Sequence, residues 1–158
     1  MAYTLEAELY ARGCHAYVLD GDNMRHGLNA DLGFSIKDRR ENIRRAGEVS
    51  KLLLDSGCIV LAAFISPYIN ERQKIRGLFQ KNEFLEIYCQ ASVAVCEKRD
   101  PKNMYRQARL GEIKSFTGVS SLYEAPLNPE LQLDTATLSV QDSIHLIIQA
   151  LIFHNIIA

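Results

Sequence analysis

The sequence predicts a doubly wound α/β domain, and three observations carry that prediction. Apolar runs of strand length alternate along the chain with helix-length amphipathic segments. One of the runs, CIVLAAFIS at 58–66, is apolar without alternation, as suits a strand covered on both faces of a parallel sheet. Polar clusters follow the predicted strands, at the carboxyl ends where such sheets gather their ligands.

Taken in order, Leu5 and Leu9 give a short helical pattern that stops at Gly13. CHAYVLD at 14–20 is the first predicted strand, and MRHGLNADLGF, rich in Gly, Asn and Asp, reads as loop and turn. Ser35 is placed to cap a long helix in which Ile43, Ala46, Ser50 and Leu53 follow at helical spacing, up to Gly57. The strand at 58–66 follows, then a helix over 70–79, a strand over 83–89 (EFLEIYC) and a short helix over 92–99. Residues 100–129 turn polar, basic and Gly/Pro-punctuated. LQLDT at 131–135 is a last strand, and Ser139 is placed to cap the final helix.

With 158 residues, 47% apolar content and a net charge of −1, the chain reads as one ordinary globular domain spanning 1–158. Near-neutral charge removes any overall attraction to nucleic-acid polymers or membrane surfaces. No apolar run reaches membrane-spanning length, no targeting segment is visible, and Cys14, Cys58, Cys89 and Cys96 lack metal-ligand spacing. A cytoplasmic protein with reduced thiols is the expectation.

The chemistry concentrates in DGDN. Asp20 and Asp22 stand at a strand end, where a carboxylate can hold Mg²⁺ or take a proton from an attacking hydroxyl. An Asp-Gly turn alone would be commonplace, but Arg25 follows two residues after Asn23. Arg25 and Arg39 suit forked recognition of phosphate or sulfate, and Arg39 with Asn42 lies at i, i+3 near a helix start. Arg40, Arg45 and Arg106 read as a solvated face. Phe34 and Phe116 lie in polar loops where two rings could clamp a flat base. Ser66, at the end of the second strand, could touch a substrate or simply turn the chain before Pro67.

These pieces in this order resemble the adenylylsulfate kinase (APS kinase) family. The matching stretches are LDGDNMRHGLNADLGFS, DRRENIRRAGEVSKLLLDSG, AFISPY, CEKRDPKNMYRQARLGEIKSFTGVSSLYEAP and LDT, nearly the whole chain. The resemblance implies a three-layer P-loop-kinase fold, a parallel sheet with helices on both faces. It also implies transfer of the γ-phosphoryl group of Mg-ATP to the 3′-hydroxyl of adenosine 5′-phosphosulfate, in sulfate assimilation. Carried over by residue, Asp20 is the base or orienting carboxylate, and Asp22, Asn23 and Arg25 contact substrate or metal, with Asp22 as the Mg²⁺ ligand. Arg39 and Asn42 hold the phosphosulfate end, and Phe34 and Phe116 sandwich the adenine. Ile65 and Ser66 line the pocket, with Ser66 also put forward as a phosphorylated intermediate. Lys102, Arg106, Arg109 and Lys114 belong to a lid over about 100–129. Homodimers are expected from the same resemblance.

One departure stands out. The family opens with a strand and a Gly-x-x-x-x-Gly-Lys-Ser/Thr phosphate loop, a motif found nowhere in these 158 residues. Aligned on LEAELYARG, Met1 falls just after the Lys-Ser/Thr position. The expectation is a truncated kinase, weak or inactive alone, whose first strand is missing and whose neighbouring strands keep unpaired edges. Two other readings are a non-catalytic adenosine 5′-phosphosulfate-binding pseudokinase or partner subunit, and a P-loop kinase for another small metabolite. KSFTG and the paired Phe residues argue against the last.

Overall fold

The computed structural model describes all residues 1–158. Four strands alternate with helices in the order α1 (Ala2–Ala11), β1 (Ala16–Asp20), α2 (Gly21–His26), α3 (Ile36–Asp55), β2 (Ile59–Ala63) and α4 (Ile69–Arg76). There follow β3 (Ile87–Gln90), α5 (Val93–Arg99), α6 (Met104–Arg109), β4 (Leu131–Asp134) and α7 (Val140–Phe153). No helix is long and apolar enough to cross a membrane.

All strand pairing is parallel, as the unalternating apolar run requires, but it forms two separate ladders. β1 pairs with β2 from Ala16↔Ile59 to Asp20↔Ala63, and β3 pairs with β4 from Ile87↔Leu131 to Gln90↔Asp134. No ladder joins β2 to β3. Ile59 N–H donates to the His15 carbonyl, so along β2 the odd residues face β1 and the amides of Val60 and Ala62 point away. By the same alternation, Leu131 and Thr135 donate to the Glu86 and Gln90 carbonyls, leaving Ile87 and Cys89 to point away from β4. Ala62 and Cys89 are solvent-exposed accordingly.

What joins the two ladders is apolar. Leu5 and Leu9 from α1, Leu133 from β4, and Ile144, Ile147, Ile148 and Leu151 from α7 form one buried cluster, with Ile59, Leu61 and Ile87 packed against it. A second, smaller cluster of Leu19, Met24 and Ala46 seats α2 and α3 on the first ladder. Helix α3 meets α4 closely at Gly47, where an added Cβ would come within 2.5 Å of Ile75 Cδ1.

The caps at Ser35 and Ser139 form as the spacing predicts, each hydroxyl accepting from the amide three residues on. Several boundaries differ from the sequence reading. Residues 21–26 are helical, because the Asp20 carboxylate accepts from the Asp22 and Asn23 amides and so caps a turn that the Gly and Asn content had disguised. β2 ends at Ala63, three residues early, and β3 begins only at Ile87. A helix, α6, interrupts the loop at 100–129, started by the Asp100 carboxylate accepting from the Tyr105 and Arg106 amides. The four cysteines are free, and none is fully buried.

Leu9 is fully buried at the point where α1 meets both ladders. Leu9→Ala is expected to cost about 2–5 kcal/mol, measured as a lower urea midpoint with an unchanged slope.

Candidate active site

The carboxyl ends of β1 and β2 lie side by side, with Asp20 opposite Ala63. The chain leaves β1 through Gly21, where a Cβ would meet the Phe64 ring at 3.0 Å, so the turn after Asp20 hugs the exit from β2. That close approach brings Ile65 and Ser66 to the same end as the DGDN stretch. Ile65 is 61% exposed, and Ser66 holds a left-handed backbone (φ 43°) rare for a residue with a side chain.

Asp20 spends one carboxylate oxygen, Oδ1, on capping α2. The Asp22 Oδ2 accepts from Lys102 Nζ at 2.6 Å, a contact across 80 residues that carries the 100–129 segment over the end of β1. Hydrogen bonding to Asp22, and then its charge with that of Asp20, raises the Lys102 pKa above its ordinary value. Asn23 Nδ2 donates to the Tyr3 hydroxyl of α1. Arg25 turns inward instead, donating to the Leu32 and Gly33 carbonyls and lying 4.4 Å over the Phe34 ring. Desolvation and then the neighbouring Arg39 charge lower its pKa, although it stays a cation.

Arg39 ties the two aromatic loops together. Its Nε donates to the Phe34 carbonyl (3.1 Å), its Nη2 to the Ser115 carbonyl (2.8 Å) and its Nη1 to Thr117 Oγ1 (3.4 Å). Phe34 and the loop carrying Phe116 are thus fastened to one guanidinium. Phe34 is 60% exposed, and Phe116 packs edge-on against Tyr105 with ring centroids 4.9 Å apart. Two of the five guanidinium N–H groups remain for other acceptors.

Asn42 is buried, and its Oδ1 accepts from Asn29 Nδ2 at 3.0 Å. Asn29 is fully buried and its own Oδ1 has no partner. The loop bearing Asn29 is pinned to α3 by ion pairs: Arg45 grips both Asp31 oxygens at 2.6 and 2.8 Å, and Arg45 and Arg44 share Glu41. Arg40 pairs with Glu71 at 3.5 Å.

The lid residues divide. Lys102 joins the site, Arg109 instead pairs with Glu97 of α5 at 2.6 Å, and the Arg106 and Lys114 side chains are exposed. Tyr3, Asn29 and Tyr105 were missed by sequence reasoning. Tyr3 and Tyr105 act only through contacts to Asn23 and Phe116 that no local pattern encodes, whereas Asn29 carried a faint signal as a polar residue between Leu28 and Leu32.

Comparison with known proteins decides the family. The family model described as adenylylsulphate kinase matches residues 1–134. The chain belongs to that family. It is 57% identical over 144 residues to the adenylyl-sulfate kinase of Geotalea daltonii, covering 91% of this chain and 71% of that protein. It is 55% identical over 157 residues to the adenylyl-sulfate kinase of Vibrio cholerae, covering 99% and 73%. Among solved structures, the Mycobacterium tuberculosis APS kinase CysC in complex with AMPPNP and APS matches with a TM-score of 0.90 at 46% identity, over 95% of this chain and 87% of that one. A hexameric APS kinase from Thiobacillus denitrificans matches with a TM-score of 0.69 at 29% identity, over 96% of this chain and 25% of that one. By family the chain is thus an adenylylsulphate kinase, a nucleotide-dependent phosphotransferase, on the α/β architecture these structures share.

Hydrogen bonds from Arg44 and then Arg45 hold the Glu41 carboxyl down at about 2, against 4.5 for a free one. A carboxyl depressed on folding stabilises fully above pH 4.5, and that contribution fades as pH falls to about 2. Melting temperature should therefore fall across this window, and Glu41→Gln should flatten the fall while lowering the melting temperature at pH 7.

Proposed function

We propose that this chain binds adenosine 5′-phosphosulfate and is built to phosphorylate its 3′-hydroxyl from ATP, giving 3′-phosphoadenosine 5′-phosphosulfate. The observation that carries this reading is the Arg39 bridge. One cation holds the Phe34 and Phe116 loops together at the end of β1 and β2, beside a carboxylate pair and a lysine. That arrangement suits a ligand with a flat base, an anionic tail and a hydroxyl to be activated.

The roles are those the family resemblance implies. Phe34 and Phe116 take the adenine. The two spare N–H groups of Arg39, with the Asn42 amide, face the phosphosulfate. Asn23, Arg25, Ile65 and Ser66 shape the pocket between the strand ends, and Ser66 is the hydroxyl available for the family's phosphorylated intermediate. Asp20, whose Oδ2 is free, orients the 3′-hydroxyl and accepts its proton as the oxygen–phosphorus bond forms, the bond from the γ-phosphorus to the bridging oxygen breaks, and ADP leaves. Lys102, with Arg106 and Lys114 on the same 100–129 lid, supplies positive charge to the phosphates, while Arg109 stays with Glu97.

Magnesium fits this picture as a companion of ATP. Asp22 is 69% exposed with one oxygen uncommitted, and one carboxylate with phosphate oxygens and waters is an ordinary Mg²⁺ set. Held there, it would supply positive charge to the ATP phosphates. The same reading takes 1–158 as one domain, places it in the cytoplasm, in keeping with four free thiols, and has it associate as a homodimer.

A product assay tests the reading. The chain is incubated with Mg-ATP and adenosine 5′-phosphosulfate, and the 3′-phosphorylated product is sought by anion-exchange chromatography. Because these residues lack the family's phosphate loop, product is expected to be weak at most, and any product should disappear in Asp20→Asn. No product, with tight binding of adenosine 5′-phosphosulfate by calorimetry, leaves the binding function and removes the transfer. No binding overturns the reading.

Arg39→Ala should weaken adenosine 5′-phosphosulfate binding by about 1.5–3 kcal/mol, the cost of a lost charged hydrogen bond. Calorimetric titration of the variant measures it, and an unchanged affinity would remove Arg39 from the site.

A further inference from the structure

The turn between β2 and α4 is held by a buried network to which the proposed chemistry gives no role. Ser66 keeps its left-handed backbone although it is not glycine, a conformation that persists only where its surroundings impose it. The surroundings here are two side chains. Arg72, on the first turn of α4, donates from Nη1 to the Ser66 carbonyl at 2.7 Å, from Nη2 to the Glu124 carbonyl at 2.8 Å and from Nε to Glu86 Oε1 at 2.6 Å. Its side chain is only 10% exposed, and that of Glu86 only 17%.

Glu124 answers from the far end of the 100–129 segment. Its amide donates to the Pro67 carbonyl at 2.9 Å, and its carboxylate accepts from the Ile69 amide at 2.7 Å. The neighbouring Tyr123 ring lies 5.9 Å from the Arg72 guanidinium and stacks on Tyr88 of β3. One guanidinium therefore binds three segments at once: the Ser66 turn, the lid's end and the start of β3. A planar fork can do this, whereas a lysine, with its donors on one nitrogen, cannot span three such acceptors.

We propose that Arg72, working with Glu124, is a positioning residue for the adenosine 5′-phosphosulfate pocket: it imposes the left-handed Ser66 and fastens the lid's far end to the same turn. The proposal rests on the reading that Ile65 and Ser66 line that pocket. It makes the lid a segment anchored at Glu124, with its other attachments through Lys102 to Asp22 and through Ser115 and Thr117 to Arg39.

The test uses Arg72→Lys, which keeps a cation beside Glu86, and a glycine at 66, which takes up the left-handed backbone without help. In the Ser66 protein, Arg72→Lys should weaken adenosine 5′-phosphosulfate binding by about tenfold or more, as loss of charge-assisted hydrogen bonds implies. In a Ser66→Gly background the same change should cost less than about threefold, because the two residues act through one interaction. Equal losses in both backgrounds, or no loss in the first, would overturn the proposal. A merely structural role would lower the melting temperature without this dependence on residue 66. Amide exchange without ligand supplies an independent reading: the Ile69 and Glu124 amides should exchange about tenfold faster in Arg72→Lys, as expected when a local opening becomes easier, and unchanged rates would sink the anchoring role. If the unmodified chain does not bind adenosine 5′-phosphosulfate, the proposed function falls and the positioning of a pocket falls with it, while exchange still decides the anchoring.

Discussion

The whole structure depends on an apolar junction standing where a hydrogen-bonded one would be expected. Two parallel ladders meet without a shared backbone bond, so their relative placement rests on Leu5, Leu9, Leu133 and the apolar face of α7. Burial of that kind is strong and non-directional. It fixes how close the halves lie, whereas their registration must come from elsewhere. The polar bridges at the carboxyl ends supply it, since each spans the division: Lys102 to Asp22, Arg39 to Ser115, and Arg72 to Ser66 and Glu86.

This division of labour explains why the site is rich in arginine. An aliphatic contact tolerates sliding, but a guanidinium with three acceptors does not. Arg25, Arg39 and Arg72 each bind main-chain carbonyls as well as facing a ring, so the cations in the pocket walls are also its framework. Arg25 and Arg39 bond only neutral oxygens, whereas Arg72 also meets the Glu86 carboxylate. Arg44 and Arg45, which meet carboxylates, sit apart on α3, where Arg45 holds the loop of Asp31 in place.

Much of this was legible in the chain. The strand order and the Ser35 and Ser139 caps follow from periodicity and capping chemistry, and the grouping of Asp20, Asp22, Phe34, Arg39 and Lys102 is what the family resemblance implies. Three things were not legible. The helix at 21–26 hid behind turn-forming residues, because the deciding bond runs from the Asp20 side chain to the backbone. Arg109 read as a lid cation but is taken by Glu97, a choice between partners that spacing cannot make. Neither Arg72 nor Glu124 was singled out, because the bond between them spans 52 residues of sequence.

Gly47 shows how far the site's tolerances reach. It lies two turns along α3 from Arg39, on the face that meets α4, and Ile75 fills the space a side chain would need. Arg39 and Arg72 belong to the two helices whose separation this contact sets. A larger residue at 47 must push Ile75 aside or part the helices, moving one cationic wall of the pocket against the other. Position 47 carries no chemistry at all, yet the spacing of the helices that bear Arg39 and Arg72 depends on it.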